Sequence, residues 1–195
     1  MSHLAHCLIL ASASPRRREL LDQLGVRHRV LPVDIQETPA PGELPETYVR
    51  RVAAEKSLEG QRRSGGGLPV LAADTEVVVD GEILGKPKDF EQAARMLARL
   101  SGRAHSVLSA VSLRLENQHL EALSVSTVTF RVISAEEIRA YWATGEPRDK
   151  AGAYAIQGKG AIFVRQLSGS YSGVMGLPLF ETWTLLNTIG LTVLP

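Results

Sequence analysis

The apolar residues of this chain follow two spacings, which predict an alternation of strands and helices. Residues three or four positions apart share one face of a helix, whereas alternating residues share one face of a strand. The patterns predict helices over residues 15–24, 46–62, 90–100, 135–144 and 178–189, and strands over 8–12, 29–33, 70–80, 82–85, 106–115, 127–132 and 161–167. Helices and strands alternate early, and long hairpin strands occupy the middle. We therefore expect an α/β fold with a mixed β-sheet and flanking helices.

Composition and charge indicate an ordinary globular protein. Of 195 residues, 44% are hydrophobic, and 22 Lys and Arg against 21 Asp and Glu give a formal net charge of +1. This balance disfavours a nucleic-acid coat protein, which is usually strongly basic. No apolar run approaches the roughly 20 residues that span a bilayer. We expect one domain over residues 1–195, a cytoplasmic location, and no nucleic-acid or membrane partner. The single cysteine, Cys7, excludes an intrachain disulfide and is expected to be buried and inert.

The first predicted strand-to-helix junction has features of a phosphate-binding site. Free backbone N–H groups and the dipole at the start of a helix attract anions. Ser12 and Ser14 add hydroxyl donors there, and Arg16 and Arg17 add positive charge. The alternative is a capped helix with a solvated basic first turn. However, arginines at this end of a helix are unfavourable without an anion.

Two charged residues interrupt apolar patterns further along the chain. Lys56 follows Val49, Val52 and Ala53 on one predicted helix face. Its amine either reaches water at the end of a packed stem or points into a cleft. Asp74 directly follows a buried run, so its carboxylate must be paired, hydrogen-bonded or bound to a metal. Either it takes part in chemistry, or it lies at a bend and accepts hydrogen bonds from backbone amides.

The remaining candidate groups lie in predicted turns and loops. A predicted two-residue hairpin turn returns Lys86 toward the strand that carries Asp74. The loop over 149–158 either closes over a ligand, with Gln157 bonding the edge of a flat polar group, or is an ordinary surface loop. Several cations with a few carboxylates, including Glu37, and no soft metal ligand suit a polyphosphate and a hard cation such as Mg²⁺. The residues alone indicate phosphate-ester or nucleotide chemistry.

Seven short motifs follow one another along the chain and cover about residues 8–190. They are Ala11-Ser12-x-Ser14-Pro15-Arg16-Arg17-x-Glu19-Leu20-Leu21, Tyr48-Val49-x-Arg51 with Lys56, Ala73-Asp74-Thr75, Gly85-Lys86-Pro87, Leu100-Ser101-Gly102, Asp149-Lys150-Ala151-Gly152-Ala153-Tyr154 with Gln157-Gly158, and Gly169-Ser170-Tyr171 with Gly176-Leu177-Pro178. Each motif is weak alone, but seven in this order are very specific. Together they resemble the Maf family of nucleoside triphosphate pyrophosphatases. The Asp-Thr pair and the Ile-Gln-Gly run resemble its dTTP/UTP branch rather than the branch acting on 7-methyl-GTP.

This resemblance implies an elongated mixed sheet with two lobes around a central cleft, similar to inosine triphosphate pyrophosphatases. It implies hydrolysis of a nucleoside triphosphate to the monophosphate and pyrophosphate with a divalent cation, Mg²⁺ or Mn²⁺, and a homodimer. By position, Asp74 is the implied catalytic acid or base, and Asp74 and Glu37 are the implied metal ligands. Lys56, Lys86 and Glu37 complete the implied catalytic set, Ser12 and Arg17 bind substrate phosphates, and Arg16, Thr75 and Gln157 set the base preference.

The chain departs from the usual family pattern at a few positions. Gln36 stands where an acidic residue commonly precedes the position of Glu37, which could weaken metal binding. Ala155 replaces a usual glycine, which could shift the loop of Gln157, and Met175 replaces a usual valine. Glu76 stands where an aliphatic residue is usual, and strand alternation points its side chain to the face opposite Thr75. None of these changes removes a proposed catalytic group.

Two functions of different classes compete. The first is hydrolysis of dTTP and UTP, a nucleotide-pool sanitising role. The second is a non-catalytic nucleotide-binding regulator of septum formation and cell division. Because Asp74, Lys56 and Lys86 occur together, the sequence favours the enzyme. A uracil or thymine ring has two carbonyl acceptors flanking one N–H donor, which Arg16 and Gln157 can match. We therefore expect UTP and dTTP to be preferred over CTP and purine triphosphates.

Overall fold

A computed structural model describes residues 8–194, so Cys7 and its expected burial lie outside the described residues. The strands, in chain order, are β1 (Leu8–Leu10), β2 (His28–Val30), β3 (Val70–Val79), β4 (Glu82–Ile83), β5 (Ala104–Leu115), β6 (Gln118–Phe130) and β7 (Val164–Ser168). The α-helices are α1 (Pro15–Gln23), α2 (Pro45–Ser64), α3 (Phe90–Leu100), α4 (Ala135–Ala143), α5 (Tyr171–Met175) and α6 (Leu179–Thr188). Two 3₁₀ helices cover Ala151–Ala153 and Lys159–Phe163.

All of these strands belong to one mixed sheet, as the sequence predicts. The order is β2-β1-β3-β5-β6-β7, with β4 paired to β3. β1 runs parallel to β2 and β3, whereas the other pairs are antiparallel. No helix among residues 8–194 combines the length and the apolar character needed to cross a membrane.

A gap interrupts one edge of β3. β5 occupies one edge of β3. On the other edge, β1 pairs with β3 as far as Leu71, and β4 pairs with it from Val78 onward. Residues 74–76 therefore lie where no described strand covers this edge. The β1–α1 junction lies on one side of the gap, and the segment after β4 lies on the other.

The core contains two large apolar clusters. One joins β1 and the first half of β3 to α1 and α6, and the other joins the second half of β3 to α3 and α4. This division corresponds to the two predicted lobes. α2 covers the opposite face of the sheet, where Val49 and Ala53 pack against Leu108 and Ala110 of β5.

Several predicted boundaries are wrong, for physical reasons. The apolar run over 161–167 begins as a 3₁₀ helix in which Gly160 and Phe163 are buried three residues apart, so the strand starts only at Val164. The predicted loop over 168–177 contains α5, because the Ser170 hydroxyl accepts a hydrogen bond from the backbone N–H of Gly173. Similarly, β6 ends at Phe130, two residues before the predicted end of that strand.

Candidate active site

Lys56 and Asp74 form a buried ion pair between α2 and β3. The exposed fractions are only 7% for Lys56 and 4% for Asp74. Lys56 Nζ donates a hydrogen bond of 2.8 Å to Asp74 Oδ1 and lies 3.0 Å from Glu37 Oε1. Of the two interpretations of Lys56, the structure shows the amine pointing inward to carboxylates rather than ending in water.

A close approach of α2 to the sheet makes this pair possible. A Cβ atom at Gly60 would lie 2.7 Å from Ala11 Cβ and 2.8 Å from Val70 Cγ1. Because real Cβ atoms do not approach so closely, a glycine at this position lets α2 lie against β1 and β3. Lys56, one helical turn earlier, then reaches Asp74.

The loop that carries Glu37 is fastened to α2 by Arg51. The Arg51 guanidinium donates to the Glu43 carboxylate at 2.7 and 2.8 Å and to the Thr38 carbonyl at 3.2 Å. Thr38 directly follows Glu37, so the bond fixes the backbone beside the Glu37 carboxylate. The Glu37 side chain is 40% exposed. Unlike Asp74, it therefore lies at the solvent side of the site.

Ser12 and Arg17 form the other wall, at the β1–α1 junction. Ser12 Oγ accepts hydrogen bonds from the Ser14 backbone N–H and from Arg17 Nη1, each at 3.2 Å. Arg17 Nε donates to the Gly176 carbonyl at 2.8 Å. Burial lowers the pKa of Arg17, while the negative charges of Asp74 and other site carboxylates raise it. Arg17 therefore faces the carboxylates while its guanidinium is held by the end of α5.

Arg16, Lys86 and Lys150 place positive charge along the rim of the site. Arg16 Nε donates to the Met175 carbonyl at 3.1 Å, so carbonyls at the C-terminal end of α5 accept hydrogen bonds from both predicted arginines. Burial lowers the pKa of Lys150, and the charges of Arg16 and Lys86 lower it further. Lys86 itself is exposed. Arg16 and Lys86 therefore both lie within electrostatic reach of Lys150, and such a grouping of positive charge suits an anionic ligand.

Thr75 points to the opposite face of β3 from Asp74, as strand alternation predicts. Its Oγ1 lies 3.0 Å from Ser109 Oγ and donates to the Gly176 carbonyl at 3.4 Å. Gly176 also accepts from Arg17. Thr75 therefore supports the segment that holds Arg17.

Gln157 is presented on a segment that Tyr141 and Glu146 clamp at both ends. The Tyr141 hydroxyl accepts from the Ala155 backbone N–H at 3.1 Å and donates to Glu146 Oε1 at 2.7 Å. The Glu146 carboxylate also accepts from the backbone N–H groups of residues 159 and 160, at 2.8 and 2.9 Å. The Gln157 side chain is exposed, and among the described residues it has no hydrogen-bond partner.

Two further residues of the site, Glu76 and Tyr48, have no role in the function predicted from the sequence. Glu76 lies two residues after Asp74 on β3 and so faces α2 as well. Burial, followed by the charge of Asp74, raises the pKa of Glu76 to about 8. Burial also raises the pKa of Tyr48, and the charges of Glu76 and Asp74 raise it further. The two-residue spacing of Asp74 and Glu76 indicates that both side chains lie on one face of the strand, and this pattern could have identified Glu76. Tyr48, in contrast, follows the pattern of an ordinary core residue.

The donor set fits a hard divalent cation. Asp74 Oδ2 and Glu76 Oε2 are both buried without a hydrogen-bond partner, although buried polar atoms are normally satisfied. Within residues 8–194, no three His, Cys, Asp or Glu side chains are grouped to hold a metal by themselves. Mg²⁺ commonly takes only one or two protein carboxylates and completes its shell with phosphate oxygens and water. Asp74 and Glu37, which both lie within 3.0 Å of Lys56 Nζ, are suitable ligands.

Comparisons with known proteins find nucleotide pyrophosphatases among the sequences similar to this chain. The chain is 62% identical over 184 residues to the dTTP/UTP pyrophosphatase of Methylococcus capsulatus, covering 94% of this chain and 91% of the relative. It is 53% identical to the dTTP/UTP pyrophosphatase of Nitrosomonas europaea, covering 96% and 97% of the two chains. Among solved structures, a HAM1 protein from Coxiella burnetii is 16% identical, covers 64% of this chain and 72% of its own, and has a TM-score of 0.46.

The family profile described as Maf-like protein matches residues 7–189. This match includes every element that contributes to the site, from the β1–α1 junction to α5. The chain belongs to the Maf family.

Proposed function

We propose that this protein hydrolyses dTTP and UTP to the nucleoside monophosphate and pyrophosphate. The observation that carries the proposal is the buried Lys56–Asp74 pair at the gap in the sheet, with Asp74 Oδ2 left without a partner. A carboxylate held on one oxygen and free on the other is suited to accept a proton from water. The dTTP/UTP pyrophosphatases at 62% and 53% identity support the choice of substrate.

In the proposed reaction, Asp74 Oδ2 accepts a proton from a water molecule as the water oxygen attacks the α-phosphorus. The new bond joins that oxygen to phosphorus, and the bond from phosphorus to the α–β bridging oxygen breaks. Pyrophosphate leaves with the bridging oxygen. Lys56 keeps Asp74 oriented through Oδ1, so that the second oxygen is fixed toward the water.

Positive charge around the gap stabilises the phosphates. Lys56 and Lys86 offset negative charge that grows on the phosphate oxygens, and Arg17 with Ser12 holds the phosphate chain at the β1–α1 junction. A divalent cation held by Asp74 and Glu37 would supply further positive charge beside the phosphates. Preorganised charges of this kind stabilise the transition state more than they would in water, because they do not reorient during the reaction.

Base preference is assigned to Gln157 and Arg16. The Gln157 amide can donate to one carbonyl of uracil or thymine and accept from its N–H, and Arg16 can donate to a carbonyl. Cytosine carries an amine in place of one carbonyl. Its binding would leave a site donor unpaired, at a cost of about 1–3 kcal/mol.

A panel of triphosphates tests the proposal. We expect kcat/KM for UTP and dTTP to exceed that for CTP and the purine triphosphates, with pyrophosphate and monophosphate as products. Asp74→Asn should keep the fold and lose roughly 10²–10⁴ in rate, the usual contribution of a general base. Asp80→Asn is the matched control, because Asp80 is exposed just beyond β3 and pairs with Arg103. Release of orthophosphate, or full activity of Asp74→Asn, contradicts the mechanism.

The non-catalytic regulator has no specific observation in its favour. It would predict tight nucleotide binding without product release, which the same panel measures. The cytoplasmic location, the homodimer and the lack of nucleic-acid binding stay predictions. Cell fractionation, light scattering and a gel-shift assay test them respectively.

A further inference from the structure

Glu76 is a buried carboxylate for which the reaction above has no use. Its exposed fraction is 9%, and its Oε2 atom has no hydrogen-bond partner among the described residues. A carboxylate removed from water without a partner is costly. The carboxylate at this position therefore calls for an explanation.

The surroundings of Glu76 show what the carboxylate faces. It shares with Asp74 the face of β3 that α2 covers, and the charges that act on it are those of Asp74, Lys56, Lys86 and Glu37. Lys56 is already bonded to both other carboxylates, and no described ion pair includes Glu76. Glu76 is therefore left without a cationic partner among the described residues, and its unpartnered oxygen is buried on the same face of β3 as that of Asp74.

We propose that Glu76 is a third carboxylate of the divalent-cation site and acts through water molecules of the cation's hydration shell. Direct ligation by all three carboxylates does not fit, because the described side chains form no three-residue metal centre. Mg²⁺ and similar hard cations keep several waters, whose hydrogens need acceptors such as a free carboxylate oxygen. The inference rests on the proposed function, since the cation is the one that reaction would use.

Binding of Mn²⁺ to the nucleotide-free protein tests this inference without any turnover. The electron paramagnetic resonance signal of free Mn²⁺ would be titrated with wild-type protein and with Glu76→Gln, which has nearly the same shape. We expect Glu76→Gln to raise the Mn²⁺ Kd by at least about tenfold, the usual effect of removing an outer-shell partner. Glu121→Gln is the matched control, because Glu121 is an exposed carboxylate paired with Arg50, and its Kd should stay within about twofold of wild type.

Thermal unfolding with EDTA and with Mn²⁺ separates binding from folding. Glu76→Gln should melt no lower than wild type in EDTA, because it removes a buried carboxyl group whose Oε2 atom has no partner, but should gain less from added Mn²⁺. If Glu76→Gln does not fold, Glu76→Val replaces the carboxylate with an apolar side chain and takes its place in both measurements. An unchanged Kd in Glu76→Gln, or no Mn²⁺ binding by the wild type, overturns the inference even where UTP is hydrolysed. Glu76-dependent Mn²⁺ binding without hydrolysis of UTP or dTTP instead overturns the proposed function.

Discussion

At the scale of single residues, the positions where charge interrupts an apolar pattern are the informative ones. Lys56 and Asp74 stand out in the sequence because each occupies a position where a core residue is expected. Periodicity could show that both side chains are buried on facing surfaces, but not that they meet. That contact depends on how closely α2 approaches the sheet, which the absence of a Cβ at Gly60 decides.

Substitution of Lys56 tests whether this contact serves catalysis or only folding. Lys56→Met keeps the packed stem but leaves Asp74 buried without its cation, so we expect a loss of stability of about 3–5 kcal/mol together with a large loss of turnover. The double variant Lys56→Met/Asp74→Asn removes both charges and should recover most of the stability but none of the activity. Urea unfolding and steady-state hydrolysis of UTP measure the two effects. Normal turnover in folded Lys56→Met would show that the amine has no part in the reaction.

At the scale of elements, long periodic segments are predictable and short capped ones are not. The sequence predicts α2 and α3 to within about two residues, because an apolar stripe sustained over three turns has few alternatives. α5 has only five residues and no apolar stripe. It forms through the Ser170 cap and contacts from β5, where Ser109 donates to the Gly173 carbonyl at 2.6 Å. Such tertiary support is invisible in a local window.

The Tyr141–Glu146 clamp leads to a prediction about base preference. The Glu146 carboxylate accepts hydrogen bonds from the backbone N–H groups of residues 159 and 160. Glu146→Gln replaces one of its oxygens with an NH₂ group, which donates rather than accepts, so the segment that carries Gln157 should loosen. We expect the preference for UTP over CTP to fall by about tenfold, the effect of one lost hydrogen bond. The kcat for UTP should change less than KM. Glu136→Gln on the exposed face of α4 is the matched control. If Glu146→Gln lowers the melting temperature but leaves the preference unchanged, the clamp serves stability alone.

At the scale of the whole molecule, the sequence indicates the class of sheet but not its strand order. The β5–β6 hairpin is predictable because its two strands are neighbours in sequence. Its turn lies at Glu116-Asn117, where Glu116 has φ 52°. The parallel pairing of β1 with β3 joins segments about 60 residues apart, and no local pattern specifies it. The gap beside Asp74 results from that pairing, so the sequence provides candidate residues for the site but not their arrangement around β3.

His105 connects the stability of the whole fold to pH. The His105 side chain on β5 is buried, with an exposed fraction of 4%. Its imidazole lies against the rings of Phe130 and Tyr154, and the Nε2 atom is 2.9 Å from the Tyr154 hydroxyl oxygen. Burial lowers the pKa of His105 to about 4, from the ordinary value of 6.5. The imidazole is therefore neutral in the folded protein at pH values where the unfolded chain already binds a proton.

The free energy of unfolding should consequently fall as pH drops from about 6.5 toward 4, since only the unfolded state takes up this proton in that window. The full lowering of the His105 pKa corresponds to about 3 kcal/mol in the free energy of unfolding. Above pH 6.5 this contribution to stability is complete and constant. Urea unfolding at a series of pH values in EDTA measures the slope. His105→Gln cannot titrate but can still bond Tyr154, so its curve should be flatter, whereas His119→Gln, which removes an exposed imidazole, should keep most of the fall. An equally steep curve in His105→Gln would assign the pH dependence to other groups and leave His105 charged inside the core.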